Sequence, residues 1–426
     1  MNDVIVIGAG IAGIQAALDL AGHGIFVHLI EREPSIGGHM AQLDKTFPTN
    51  DCSMCILSPK MVDVSRHPLI KIYTLAEVET VTGGIGHYHV TVKQHPKYVD
   101  EDACTGCGDC VQICPVEVYN RFDAGIGVRK AIYTPHAQAV PTKVVRDAEH
   151  CIDCGLCYDV CGPEAIRHED KETVITIEAG SIVITTGYTL FDPCRKSQMG
   201  YLLLPDVITS LELERMINAS GPTGGKLRRL SNGATPKSLV FIQCVGSRDM
   251  TVDRPYCSCV CCMQAIKNAM LIREKHPEIE VTICYMDLRA YGKGYEEYLE
   301  RAQRLGVKFL RGMPSDVLSD RSGLSLQVEN SETSEVQILH PDLVVLSVGI
   351  GPAEPGALTT ERFGIPVETT GFIRPLNDAL DTVGTLRPGI YVAGTATAPR
   401  DIPDSVASGG SAAMRAFIDA TRTRSA

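Results

Sequence analysis

The residues best equipped for chemistry are cysteines, seventeen of them in a chain of 426. Eight fall into two runs, Cys104-x2-Cys107-x2-Cys110-x3-Cys114 and Cys151-x2-Cys154-x2-Cys157-x3-Cys161. Thiolates two residues apart can wrap one corner of a cluster, and a fourth cysteine further on can cross to a neighbouring one. This is the spacing of paired [4Fe–4S] sites. It assigns Cys104, Cys107, Cys110 and Cys161 to one cluster and Cys151, Cys154, Cys157 and Cys114 to the other. Gly106, Gly108 and Gly155 leave backbone amides free to face sulfide. Zinc is the simpler occupant of a CxxC pair, but two interlocked four-cysteine runs are far more specific. Two departures stand out: Cys161 is followed by Gly162-Pro163, where Cys114 leads directly into Pro115, and the stretch from Cys114 to Cys151 is long. Neither removes a ligand.

A third group is Cys244, Cys257, Cys259, Cys261 and Cys262. Adjacent cysteines cannot readily pair with each other, because a disulfide needs particular Cα separations and Cβ directions. They can share a cluster. Cys244, Cys257, Cys261 and Cys262 make the best four, with Cys259 as the rival. Cys52-x2-Cys55 is a further pair, open to dithiol, ligand or packing roles, and Cys194 and Cys284 stand alone and read as buried thiols. Clustered cysteines in a long chain point to metal or redox chemistry, and to a reducing, cytoplasmic setting.

The elements that must carry these groups are α/β. Val4-Ile5-Val6-Ile7 reads as a buried parallel strand, followed at once by Gly8-Ala9-Gly10-Ile11-Ala12-Gly13 and a helix over Ile14 to Leu20. A second strand, Phe26 to Ile30, ends in Glu31. In this fingerprint Gly8 permits the tight turn, Gly10 lets backbone approach a pyrophosphate and Gly13 lets helix meet strand, while Glu31 takes a ribose hydroxyl. Gly37-Gly38-His39 after the acid is a pattern of two-dinucleotide-domain flavoproteins and selects FAD. Two more segments are similar to that superfamily: Ser181 to Gly187, and Gly389 to Thr395 followed by a helix over Ser405 to Ala420. Gly187, Gly394 and Thr395 are therefore flavin-site candidates, Thr395 standing where aspartate is usual.

A second α/β unit opens with the strand Ser238 to Ile242, but its turn reads Gln243-Cys244-Val245-Gly246-Ser247-Arg248. Only Gly246 remains of the expected glycines, and side chains at Gln243 and Cys244 would block a pyrophosphate. The domain is expected to keep its fold and to have lost its nicotinamide. The fold class is thus α/β: two doubly wound dinucleotide-binding domains with an inserted two-cluster ferredoxin domain. The expected boundaries are 1–94, 171–195 and 371–426 for the FAD domain, 95–170 for the insert and 196–370 for the second nucleotide-type domain. Arg215 to Asn232 reads as a surface linker.

Composition narrows the partners. Forty Lys plus Arg against 51 Asp plus Glu give a net charge of −11, and there is no tryptophan. That argues against nucleic acid and anionic membranes. The longest apolar run, Val4 to Leu18, is too short to span a bilayer, and Met1-Asn2-Asp3 does not open a signal peptide.

The FAD fingerprint, Cys52-Ser53-Met54-Cys55, the inserted cluster domain, Cys244-Val245-Gly246-Ser247-Arg248-Asp249, Cys-x3-Cys-Cys, and Asp401-Ile402-Pro403-Asp404-Ser405-Val406 follow one another in an order that resembles the A subunits of heterodisulfide reductases. The resemblance covers essentially the whole chain. It implies a third cluster on Cys244, Cys257, Cys261 and Cys262 close to the flavin, and it places Lys267 at the reactive edge of the isoalloxazine, where a cation stabilises anionic reduced flavin. A solvated helix lysine is the plainer alternative. It also implies B- and C-type partner subunits, with disulfide cleavage on the B-type one, together with a ferredoxin-type electron carrier and a homodimer. Long members of the family carry further N- and C-terminal cluster domains, so this chain is expected to be a short form with three clusters. Two rivals are kept: an NAD(P)H-dependent flavoprotein, and a non-catalytic iron–sulfur relay.

Overall fold

The short β-branched runs of the sequence become strands covered on both faces, as parallel sheets require. A computed structural model describes residues 2–321, 323–353 and 356–422. These group into two units: 1–41, 54–188 and 352–426 in one, 42–53 and 189–351 in the other.

The first unit is built on a five-stranded parallel sheet, ordered Ile390–Val392, Ser181–Ile184, Val4–Ile7, Val27–Ile30, Ile70–Tyr73. Alternation along the central strand separates two cores. Val4 and Val6 pack with Ile14, Ala17 and Leu20 of the helix Ile11–Gly22 and with Ala412, Ala413 and Ala416 of the helix Ile402–Arg422. Ile5 and Ile7 face the other way, against Val78, Tyr88, Val90 and Val92. These belong to an antiparallel sheet of Thr173–Ala179, His87–Gln94 and Ala76–Gly84. The two helices meet through small residues: a Cβ on Gly409 would lie 2.5 Å from the Ala12 carbonyl oxygen.

The cysteine-rich insert leaves the antiparallel sheet at Gln94 and returns at Thr173, and these two residues are register partners. A whole domain can therefore be added at a hairpin without disturbing either strand. Inside it, two short helices, Asp109–Ile113 and Leu156–Val160, each follow a left-handed glycine, Gly108 (φ 87°) and Gly155 (φ 79°). The long stretch after Cys114 forms the ribbon Glu117–Tyr119 with Val128–Lys130 and then anchors to the FAD-type sheet's loops. There the Val140 amide donates to Ser35 Oγ at 3.0 Å and the Ile36 amide to the Val140 carbonyl at 3.0 Å.

The second unit repeats the design with strands ordered Val207–Thr209, Leu343–Val348, Ser238–Val245, Glu280–Tyr285, Lys308–Arg311. The crossover from its central strand is the helix Cys261–Lys275. The helix Ser210–Ile217 starts on a capping box, Thr209 with Glu212. Arg215 is 2% exposed within that helix, and Arg229 pairs with Asp206 at 2.8 Å and Asp342 at 3.2 Å. The stretch Arg215 to Asn232 begins inside a buried helix end and then runs mostly along the surface, where Arg229 is held by Asp206 and Asp342. Cys194 is exposed, contrary to expectation, because it lies in a short turn begun by Asp192, whereas Cys284 is fully buried in its strand.

Gly13 is the tightest point of the first unit, since a Cβ there would sit 1.9 Å from the Gly8 carbonyl oxygen. Gly13→Ala is expected to cost about 1–3 kcal/mol by overpacking and to lower flavin content, as read from denaturant unfolding and the flavin absorbance of the purified protein.

Candidate functional site

The first cradle is made of backbone. Gly8 (φ 97°) turns the chain out of its strand, and the helix Ile11–Gly22 starts on Gly10 with no side-chain cap. Its leading amides lack intrahelical partners, and a Cβ on Gly10 would meet nothing within 4 Å. Gly38 (φ 56°) closes the other side so tightly that its Cβ would lie 3.0 Å from Gly10 Cα. An uncapped helix N-terminus faced only by glycine suits a pyrophosphate. Glu31, 7% exposed, accepts the Ala9 amide at 2.7 Å through Oε2 and the Glu33 amide at 3.0 Å through Oε1. Burial raises its pKa against those two bonds. It therefore braces the glycine turn. Gly187 has φ 78° and open space beside it, while Gly394 abuts Ala12 and donates its amide to Ser408 Oγ at 2.9 Å. Thr395 is 8% exposed in the turn Gly394–Ala396.

In the insert, Cys114, Cys151, Cys154 and Cys157 line one cavity, together with Arg146 and His168. The fourth cysteine of the first run has crossed to the second. Cys110 sits among Cys104, Cys107, Cys157 and Cys161; burial first, then these neighbours, push its thiol up to about 11. Thiols so crowded ionise only if a cation shares the site, which is the behaviour of metal ligands.

In the second unit the central strand Ser238–Val245 is irregular at Cys244, which is left-handed (φ 59°) where the register shifts between Ile242 and Val245. The loop that follows is stapled by buried serines: Ser247 Oγ accepts the Ser258 amide at 3.0 Å, and Ser258 Oγ accepts the Ile350 amide at 2.8 Å. It delivers Cys257 and Cys259 opposite the start of the helix Cys261–Lys275. Cys244, Cys257, Cys259, Cys261 and Cys262 then line one cavity with Ser247, Arg248, Ser258, Asp287 and Arg289. Burial, followed by Cys262, pushes Cys244 up to about 11, with Arg248 opposing. The Cys259 thiol, hydrogen-bonded to Cys257, pulls Cys257 down and is itself pushed up. Both cysteines are within reach of the cavity, so Cys259 keeps its place as rival. One Arg248 guanidinium nitrogen is buried without a partner while another holds Asp287 at 2.8 Å. An orphaned cationic donor beside five thiols fits an anionic sulfur cluster.

Lys267, five residues past Cys262, is 1% exposed and pairs with Glu214, whose side chain is 0% exposed. Its ammonium also donates to the Lys45 carbonyl at 3.1 Å. Glu214 accepts the Asp44 amide at 3.0 Å and Gln264 Nε2 at 3.3 Å. The solvated-lysine alternative is excluded. Glu214, Arg248 and Arg146 had no signal in the sequence beyond being charged; only the fold brings them to the cysteines and to Lys267.

Residues 103–166 match the 4Fe–4S dicluster domain family and residues 3–52 the FAD-dependent oxidoreductase family. The chain is 52% identical over 417 residues to the iron–sulfur A subunit of the CoB–CoM heterodisulfide reductase of Methanocaldococcus jannaschii, covering 97% of this chain and 64% of that one. It is 50% identical over 420 residues to the A subunit of the H2:CoB–CoM heterodisulfide, ferredoxin reductase of Methanothermobacter marburgensis, covering 98% and 64%. The chain thus spans a little under two thirds of these relatives. Among solved structures, thioredoxin reductases from Lactococcus lactis (TM-score 0.55, 15% identity, 99% of each chain) and T. acidophilum (0.54, 14%, 98% of each) share the fold. Among the described residues, no helix is long and apolar enough to cross a membrane.

Breaking the Lys267–Glu214 pair leaves a charge buried. Lys267→Met is expected to destabilise the chain by about 3–5 kcal/mol, and the double variant Lys267→Met/Glu214→Leu to recover most of it, measured as a double-mutant cycle by denaturant unfolding.

Proposed function

Because the chain belongs to the family of heterodisulfide reductase A subunits over the length it shares with them, we propose that it is an FAD- and iron–sulfur-dependent electron-transfer subunit. On this reading it passes electrons between a ferredoxin-type carrier and B- and C-type subunits that reduce a heterodisulfide, in the cytoplasm and as a homodimer. One observation carries the reading: where a nicotinamide dinucleotide would lie, the strand end, the loop after it and the helix start bring five cysteines to one cavity.

Gly8, Gly10, Gly13 and Gly38 would hold the FAD pyrophosphate, Glu31 the ribose, and Gly187, Gly394 and Thr395 the remainder of the flavin. Cys104, Cys107, Cys110 and Cys161 would hold one cubane, Cys114, Cys151, Cys154 and Cys157 a second, and Cys244, Cys257, Cys261 and Cys262 a third. Bound FAD supplies the exchange between electron pairs and single electrons. Lys267, which pairs with Glu214 out of water, would be the residue that stabilises reduced flavin. The glycine cradle would orient the dinucleotide, and the Ser247–Ser258 bonds hold the loop that carries Cys257 and Cys259. Division of an electron pair between two acceptors belongs to this reading where a partner supplies the second exit. The chain alone is expected to reduce dyes and not disulfides.

The test is anaerobic. The purified chain should contain about twelve irons, four per cluster, and one FAD. In one cuvette NADH should leave the flavin yellow and reduced ferredoxin should bleach it. Rapid bleaching by NADH, with iron for only two clusters, would overturn the reading in favour of a pyridine-nucleotide flavoprotein.

A further inference from the structure

The two halves of the insert are built on one plan. Asp100 and Asp147 each stand four residues before the first cysteine of a run. In each case the backbone carbonyl accepts the cysteine amide, from Cys104 at 2.9 Å and from Cys151 at 3.1 Å. Each Oδ1 also accepts two amides of the following turn: Asp102 and Ala103 in one half, Glu149 and His150 in the other. This correspondence pairs every position. Inside each CxxC loop the residue before the second cysteine is left-handed, Gly106 (φ 73°) in the first half and Asp153 (φ 52°) in the second. The residue before the shared aspartate is Val99 in the first half and Arg146 in the second; both are buried, at 4% and 7% exposure.

Among the positions where the halves differ, two are coupled: an arginine for a valine and an aspartate for a glycine. The pair is joined: Arg146 forms an ion pair with Asp153. The aspartate adopts a left-handed backbone conformation that L-residues rarely enter. The guanidinium lies 4.9 Å from the Tyr98 ring and 3.3 Å from His168 Nδ1, and it lines the cavity of Cys114, Cys151, Cys154 and Cys157. Its Nε is buried with no hydrogen-bond partner. Of the cysteines, it acts on Cys151 and Cys157. The Asp153 side chain is 70% exposed, so water screens the carboxylate far more than the guanidinium. In the first half the Lys143 ammonium donates to the Cys104 carbonyl oxygen, and Arg167 pairs with Asp100 at 3.1 Å.

Resting on the cluster assignment above, we propose that Arg146 is a positioning residue that makes the two insert clusters unequal, giving the one on Cys114, Cys151, Cys154 and Cys157 the higher reduction potential. A cluster that takes one electron from a one-electron donor gains one negative charge. Arginine stays protonated throughout, so its fixed charge favours the reduced cluster, and more strongly where water is excluded. Electrons entering the insert then settle on the second cluster.

The test is a potentiometric titration followed by EPR on the anaerobically purified full chain, with dithionite as donor. The insert clusters should titrate at two midpoints separated by at least tenfold in equilibrium constant, about 59 mV for one electron. R146Q should lower the upper midpoint towards the lower one and leave the other clusters unmoved, and R146K, which keeps the charge, should hold it near the native value. Full iron content with one shared midpoint in the native chain overturns the inference alone. So does an R146Q midpoint equal to the native one, or an R146K shift as large as that of R146Q, which would make the arginine a packing element. Iron too low for two insert clusters overturns the cluster assignment and the inference with it.

Discussion

In a parallel α/β unit the end of a central strand and the start of the next helix form one place, and whatever the chain puts there decides the ligand. The protein contains that place twice. In the first unit it is bare backbone, Gly8 and Gly10 before an uncapped helix. In the second it is Cys244 at the strand end and Cys261-Cys262 as the first residues of the helix Cys261–Lys275. The same partial positive charge at a helix N-terminus that favours a phosphate also favours thiolate. On the proposed assignment, one architectural site would serve a dinucleotide in one copy and a sulfur-ligated group in the other. The exchange requires a long loop, from Gly246 to Val260, in place of a tight turn, and that loop needs its own scaffolding, which the Ser247–Ser258 bonds provide.

Buried charge follows from this arrangement. Lys267 and Glu214 are both sealed from water and meet each other within the second unit, whereas Arg146 and Arg248 each keep a guanidinium nitrogen without a partner beside a cysteine cavity. A sealed ion pair is neutral as a whole. An orphaned cationic donor is stable only opposite negative charge.

Much of the cofactor framework was legible because it depends on local spacing. Gly8, Gly10 and Gly13 follow a β-branched strand, and the cysteine runs repeat at intervals a short loop can wrap, so the strand, helix and insertion point between His87–Gln94 and Thr173–Ala179 could be read from pattern alone. The lost glycines at Gln243 and Cys244 were legible for the same reason. The ion pairs of Arg229 were not, since nothing in a glycine-rich stretch reveals that Asp206 and Asp342 lie beside it. Glu214 sits two residues past a capping-box acid and looks like any helix glutamate; its partner is 53 residues away. The Val99–Arg146 asymmetry became visible only when shared aspartate bonds set the two halves in register.

The replacement of a nicotinamide site by a third cluster is the central claim. Crystals of the anaerobically purified chain, with diffraction recorded on both sides of the iron absorption edge, would test it directly. Three compact anomalous peaks are predicted, one of them enclosed by Cys244, Cys257, Cys261 and Cys262 at the end of the strand Ser238–Val245. Two peaks confined to the insert, with the Cys244 group present as free thiols, would contradict it.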